Sequence, residues 1–103
     1  MENEFLTKVR EAVASGDLDT AELLFLEEAE NPEGKLEVLR EAAAVVAAAG
    51  ERERAGEMLA GLERAAEAAG PETHLDLLRQ LCLWLPNRRP WRRAFVDAFT
   101  RYW

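Results

Sequence analysis

Four arginines surround a tryptophan near the C-terminus, in the segment Arg88-Arg89-Pro90-Trp91-Arg92-Arg93. A guanidinium pairs equally well with carboxylate and with phosphate. The segment therefore fits three contacts: the chain's own acidic helices, an acidic protein partner or second copy, or the phosphates of a nucleic acid. Cations near a helix start are disfavoured by the helix dipole, so these arginines do not serve to stabilise that end. The predicted C-terminal partner-binding residues are Arg88, Arg89, Trp91, Arg92, Arg93 and Trp103.

Residues suited to catalysis or metal binding are scarce. The chain has one histidine and one cysteine, which cannot together form a zinc site, and it has no glycine-rich phosphate loop. We expect His74, beside Glu72 and Asp76, to be a capping or surface residue, and Cys82 to be a small core residue. The many carboxylates belong to solvated helix faces. The sequence predicts a protein that is not an enzyme and that has no catalytic, metal or cofactor site.

Charge is distributed unevenly along the chain. The formal net charge is −7, which argues against nucleic acid as the partner of the whole molecule. Residues 1–72 contain 18 acidic and 7 basic residues, whereas residues 73–103 contain 2 acidic and 6 basic residues. The C-terminal third therefore presents a different surface from the rest, and a nucleic-acid contact there stays open as an alternative.

Length and hydropathy indicate one globular domain spanning residues 1–103. No apolar run approaches the roughly 20 residues that cross a bilayer, and the acidic start lacks the features of a secretory signal. The single Cys82 cannot form an internal disulfide, which suits a reducing compartment. We expect a cytoplasmic protein without a membrane partner. The abundance of Ala, Arg, Glu and Gly suggests a GC-rich bacterial genome.

Turn-forming residues divide the chain into six predicted helices. The turns centre on Gly16, Gly34, Gly50, Gly70-Pro71 and the segment 86–90. The fifth helix is apolar almost all round, which predicts burial on several sides. The last helix is strongly amphipathic, and we expect Tyr102 and Trp103 to form an exposed aromatic end. The predicted spans are 3–14, 18–30, 34–49, 51–69, 72–85 and 90–102.

A period of 34 residues relates the first two helix pairs. Gly16 and Gly50 are 34 residues apart, as are Ala21 and Ala55, and Phe25 and Leu59. In each copy the glycine permits a tight turn, the alanine permits close helix approach, and the large apolar residue fills the space one turn later. The spacing therefore predicts one helical hairpin used twice.

At these residues the chain resembles the tetratricopeptide repeat (TPR) family, whose hairpins of this period stack into a solenoid. The segment Gly16 to Phe25 is similar to that family's turn and second helix, and Gly50 to Leu59 is a weaker copy. The resemblance covers residues 3–69 and implies an all-α stack of three antiparallel hairpins in a right-handed superhelix. The hairpins would span 3–30, 34–69 and 72–102, the last a divergent cap; the alternative is a non-repeating six-helix bundle.

The resemblance also implies a binding groove lined by the first helix of each hairpin. A groove of this kind binds a segment of a partner protein, so the predicted function is a non-catalytic adaptor or docking domain. One alternative is a homodimer formed by pairing of the aromatic C-terminal helix with its twin; another is an accessory domain of a transcription or repair factor that contacts nucleic acid. The register places ten residues on the groove: Asn3, Leu6, Arg10, Val13 and Ala14, then Glu37, Arg40, Ala44, Ala47 and Ala48.

Overall fold

The computed structural model describes residues 3–102, which fold into seven α-helices with no strand in that range. The first five helices cover the two predicted hairpins of residues 3–30 and 34–69, and the last two cover the predicted third hairpin. The helices are α1 (Glu4–Ala14), α2 (Leu18–Glu28), α3 (Leu36–Ala48), α4 (Arg52–Ala60), α5 (Glu63–Ala69), α6 (Pro71–Trp84) and α7 (Arg89–Tyr102).

Polar side chains cap the starts of the first two helices. The Asn3 side chain accepts a hydrogen bond from the Leu6 backbone N–H at 3.2 Å. Asp17 accepts one from the Thr20 N–H at 3.1 Å and a second from the Thr20 hydroxyl at 2.6 Å. Both satisfy N–H groups that the first turn of a helix leaves without a partner.

The 34-residue period reappears as a repeated backbone turn. Gly16 donates to the Val13 carbonyl and Asp17 to the Ala12 carbonyl, both at 2.9 Å; Gly50 donates to Ala47 and Glu51 to Val46, at 2.9 and 3.4 Å. This pair of bonds is the Schellman motif, which needs a left-handed residue after the helix. Gly16 and Gly50 have φ of 78° and 94°, values that glycine adopts without strain.

The other residues of the repeat are also equivalent in the structure. Ala21 and Ala55 are fully buried, and Phe25 and Leu59 are each 1% exposed. Small residues at the first position let the neighbouring helix approach, and the large residues fill the space one turn on. The residues that carry the sequence period are therefore core residues with the same role in both hairpins.

The fourth predicted helix is divided in two at Gly61-Leu62. The Leu62 N–H bonds the Leu59 carbonyl at 2.9 Å, a tight i to i−3 bond, and Ala66 then bonds Leu62 to start the next helix. Glycine has a low helix propensity, so it marks the point where the helix breaks. This break accounts for seven observed helices where six were predicted.

Three hairpins stack on one another. α1 packs on α2 and α3 on α4; α3 contacts both helices of the first hairpin, α6 packs on α4 and α5, and α7 packs on α6. Helices joined by such short turns run antiparallel. The predicted all-α fold of about six helices is confirmed for the described residues.

Helix α6 is buried between the second hairpin and α7. Leu77, Leu78 and Leu81 have no exposed surface. The prediction of burial on several sides is confirmed for these residues, whereas Leu83 on the outer side is 64% exposed. At the end of α6 the Leu85 side chain covers Gly56 of α4: a Cβ on Gly56 would lie 2.6 Å from the Leu85 Cγ. Gly56 therefore permits close contact between α4 and the end of α6.

Replacing Gly56 with alanine should destabilise the fold. Overpacking costs about 1–3 kcal/mol, which exceeds the gain of about 1 kcal/mol in helix propensity. In a Leu85→Ala background the obstructing side chain is gone, so Gly56→Ala should be neutral or stabilising there. Urea unfolding of the four forms measures both effects. Stabilisation by Gly56→Ala in the parent background would contradict the steric role of Leu85.

The Asp17 cap should make stability depend on acid pH. The hydrogen bonds from Thr20 lower the pKa of Asp17 below its ordinary value of 3.8. A lowered folded-state pKa contributes stability that is present above 3.8 and is lost as pH falls through the folded value. Asp17→Asn should therefore melt at a lower temperature than the parent at neutral pH. The difference between the two melting temperatures should become smaller below pH 3.8. A difference in melting temperature that does not depend on pH would contradict a stabilising role for the ionised Asp17 carboxylate.

Candidate functional site

A cleft of about 270 Å³ lies between α3 and α6. Residues of α3 form one wall, α6 forms the other, and α4 contributes a floor residue. Since α3 and α6 are the first helices of the second and third hairpins, the cleft lies on the face where the TPR resemblance predicts a groove. The lining residues are Glu37, Arg40, Glu41, Ala44, Leu59, Gln80 and Trp84.

The cleft combines a small apolar centre with a polar rim. Leu59 is buried below it, Ala44 is exposed, and the Trp84 indole is half-buried. Arg40 is also half-buried, and it forms no ion pair with any residue of the described range 3–102. Its guanidinium N–H groups can therefore bind carbonyl or carboxylate oxygens of a second molecule.

An ion pair extends this face to the first hairpin. Arg10 Nη2 of α1 lies 3.0 Å from Glu41 Oε1 of α3 and donates a hydrogen bond to it. Both side chains are about half exposed, and exposed pairs contribute only about 0–1 kcal/mol. The pair therefore adds little to stability and sets the position of the Glu41 carboxylate at the rim of the cleft.

The predicted groove residues fall into distinct places. Glu37, Arg40 and Ala44 line the cleft, and Arg10 reaches its rim through Glu41. Val13 is half-buried and packs against the core. Leu6 is 6% exposed, so its predicted groove position is wrong; it faces inward with Val9.

The remaining predicted positions contribute little to the cleft. Asn3 caps α1 and borders a separate cleft with Leu24. Ala14 and Ala48 are exposed and Ala47 is half-buried, and none of the three is among the lining residues.

Sequence reasoning missed the α6 wall. A shift of 34 residues places Leu78 at the position of Ala44, but Leu78 is buried, and Gln80 and Trp84 line the cleft instead. The third hairpin does not keep the period, so the register cannot be carried into it. A large aromatic residue at the end of a leucine-rich helix was the available signal.

The C-terminal arginines divide into paired and unpaired residues. Arg88 Nη2 lies 2.7 Å from Glu57 Oε1 and 3.8 Å from Glu53 Oε1, so for this residue the contact is to the chain's own acidic surface. Arg89, Arg92 and Arg93 are exposed and form no ion pair within residues 3–102.

The aromatic residues of the predicted C-terminal patch are not all available to a partner. Trp91 is half-buried and packs against the core, as does Phe95. Both help α7 to cover the end of the stack. Trp103 lies outside the described residues. The surface that α7 presents is therefore formed by its arginines and its outward-facing apolar side chains.

His74 is the one buried polar residue among the described side chains, at 2% exposed. Its Nδ1 lies 2.9 Å from the Tyr102 hydroxyl and its Nε2 lies 3.0 Å from Glu63 Oε2. The expectation of a surface histidine is wrong, because Glu63 and Tyr102 satisfy both ring nitrogens inside the fold. Tyr102, expected at an exposed aromatic end, is half-buried in this contact.

One arrangement of protons satisfies the whole group. With the ring proton of His74 assigned to Nε2, that nitrogen donates to Glu63, the Tyr102 O–H donates to Nδ1, and Arg101 Nη2 donates to the Tyr102 oxygen at 3.1 Å. Arg101 also pairs with Glu67 at 3.2 Å. The network joins α7 to α5 through α6 and holds the C-terminal end of α7 in place.

Cys82 lies on α6 and is half-buried. Burial raises the pKa of the Cys82 thiol, an effect that nearby Arg92 partly offsets, so the reactive thiolate is disfavoured. Within residues 3–102 no three His, Cys, Asp or Glu side chains are grouped as metal ligands would be. None of the helices in that range is long and apolar enough to cross a membrane.

No protein-family model, curated protein or solved structure matches the chain.

Removing the Tyr102 hydroxyl should weaken the attachment of α7. Tyr102→Phe leaves the buried Nδ1 of His74 without its donor, at a cost of about 1–3 kcal/mol for an unsatisfied buried group. Glu63→Gln is a matched control, because the amide oxygen can still accept from Nε2–H. It should lower the free energy of unfolding by less than Tyr102→Phe does. Urea unfolding measures both. Equal stability of Tyr102→Phe and the parent would contradict the network.

Proposed function

We propose that this chain is a non-catalytic docking module, similar to the TPR family, that binds a segment of a partner protein between α3 and α6. The observation that carries the proposal is the position of the cleft. Two hairpins repeat the same Schellman turn, and they bury residues at equivalent positions 34 residues apart. In TPR-like stacks the first helices of successive hairpins form the binding groove, and α3 and α6 are those helices here.

The size of the cleft favours a peptide side chain as the ligand. Pockets for small molecules measure roughly 300–1,000 Å³ and enclose most of the ligand. At about 270 Å³ this cleft is smaller and is open on one side. It suits one apolar side chain of a longer peptide, held between Ala44 and Trp84, better than an enclosed cofactor or substrate.

The rim supplies groups that bind a peptide backbone. Gln80 has both a donor and an acceptor, and Arg40 has donors without an ion-pair partner in the described range. Glu37 adds a carboxylate that can accept N–H groups or pair with a cation. An extended segment presents backbone N–H and C=O groups alternately. This mixture of donors and acceptors can therefore bind a peptide whatever its net charge.

Catalysis and nucleic-acid binding have weaker support. The cleft contains no His, Cys or Ser to act as a nucleophile or neutral base. For nucleic acid, the formal net charge of −7 opposes approach to phosphate, and only three exposed arginines of α7 have no ion pair within residues 3–102. Cys82, which has no cysteine partner in the chain, suits a reducing compartment, and we place the module in the cytoplasm.

Filling the cleft should abolish peptide binding. Ala44→Arg places a long side chain in the cleft, while Ala48→Arg places the same side chain one turn further along α3, outside it. Peptides selected from a random displayed library on the parent chain should bind Ala44→Arg at least about tenfold more weakly, a loss of about 1.4 kcal/mol. They should bind Ala48→Arg as they bind the parent.

Fluorescence polarisation with labelled selected peptides measures these affinities. Arg40→Ala tests the rim in the same assay, with the exposed Arg64→Ala of α5 as its control. Peptides that bind Ala44→Arg and the parent equally well would place recognition elsewhere on the chain. Failure to select any peptide from a diverse library would count against a docking role for the cleft.

A further inference from the structure

The outer face of α7 exposes apolar and cationic side chains together. Val96 is 56% exposed and Phe99 is 51% exposed, even though the Phe99 ring stacks on Phe95. Arg92 lies one turn before Val96 and two turns before Phe99, on the same side of the helix. Arg89 and Arg93 flank this stripe. The three arginines form no ion pair within residues 3–102, so their charge is available to another molecule.

The outer face of α2 has the same pattern with the opposite charge. Leu23 is 58% exposed and Leu26 is 52% exposed. Asp19 lies one turn before Leu23 and two turns before Leu26, as Arg92 does relative to Val96 and Phe99. α2 has four acidic residues and no basic residue, and one of the four, Glu28, pairs with Lys35 at 2.6 Å. Arg54 of α4 pairs with Asp19 at 3.0 Å, but the Asp19 side chain stays 92% exposed and can accept a second cation.

These two faces contain nearly all the large apolar side chains that the described chain exposes. Within residues 3–102 the exposed large hydrophobic residues are Leu23, Leu26, Leu83, Val96 and Phe99. Four of the five lie in two pairs, and each pair has a spacing of three residues. Exposed apolar pairs bordered by complementary charge are typical of protein interfaces.

We propose that the outer face of α7 binds the outer face of α2 in a second copy of the chain. In this contact Val96 and Phe99 pack on Leu23 and Leu26, and the arginines of α7 meet the acidic residues of α2. Each copy uses a different surface for its two neighbours. Such a heterologous contact adds copies head to tail, and it forms a ring or an open chain according to the rotation between neighbours.

Charge disfavours a parallel contact in which α7 pairs with its own twin. A parallel α7 to α7 contact would bring Arg89, Arg92 and Arg93 of one copy against the same three residues of the other. Like charges in a desolvated contact are costly, and the lone Asp97 of α7 does not balance them. The head-to-tail contact instead pairs opposite charges, so it should weaken as salt concentration rises.

Complementation between two disabled variants tests the proposal. Val96→Asp disables the α7 face but leaves α2 intact, and Leu26→Asp disables the α2 face but leaves α7 intact. Sedimentation velocity should show concentration-dependent association of the parent up to about 200 µM, with each variant alone at least about tenfold weaker. An equimolar mixture of the two variants should form a 1:1 dimer that grows no further. That dimer would also show that each variant is folded.

Three results would overturn the proposal. A parent that stays monomeric at the highest concentration would leave the α7 face to an acidic partner other than this chain. Continued dimerisation of Leu26→Asp alone would show that α7 pairs with its twin. Failure of the mixed variants to associate would exclude the α7 to α2 contact. Leu83→Asp, which changes the exposed leucine on α6, is the control and should associate like the parent.

Discussion

Burial of α6 against the second hairpin is the constraint on which both candidate surfaces depend. Leu77, Leu78 and Leu81 are fully buried, and burial of a leucine side chain stabilises by about 1.5–3 kcal/mol. Their sum is comparable to the whole stability of a small domain, about 5–15 kcal/mol. With α6 seated in this way, Gln80 and Trp84 face the cleft. α7 packs on the opposite side of α6.

The hydrogen bonds of His74 fix the position of α7. Apolar packing alone would allow α7 to occupy several positions on α6. Half-buried aromatic residues can slide or rotate against a leucine-rich surface at little cost. A buried imidazole with two partners on two other helices allows far fewer positions, because a displaced α7 would leave a polar group unsatisfied. The direction in which α7 presents its arginines therefore depends on an interaction far from them in sequence.

Much of the fold could be predicted from the sequence because its signals are local. A capping aspartate, a glycine after a helix and apolar residues at steps of three and four each act within one or two turns. Gly16 and Gly50 have the predicted roles for this reason. The break at Gly61 was harder to foresee, since a single glycine is tolerated within many helices and the tertiary contacts on either side decide whether it breaks one.

The α3 side of the cleft was also predictable, because α3 belongs to the repeat and keeps its register. The α6 side was not, because the period ends before it. His74 shows the same limit: its neighbours Glu72 and Asp76 suggest a solvated helix start, whereas the residues that satisfy it are 11 and 28 positions away. Burial of a polar side chain depends on such distant partners, and one sequence does not reveal them.

Folding turns the uneven charge along the chain into an uneven charge on its surface. Part of the imbalance is cancelled internally, since Arg88 pairs with Glu57 and Arg101 with Glu67, each joining the basic third to the acidic hairpins. What is left after this pairing is an acidic α2 and a basic outer face on α7. Asp19 and Glu28 of α2 already pair with Arg54 and Lys35. The other acidic residues of α2 and the arginines of α7 lie on separate helices, and a second copy can supply the partner for each.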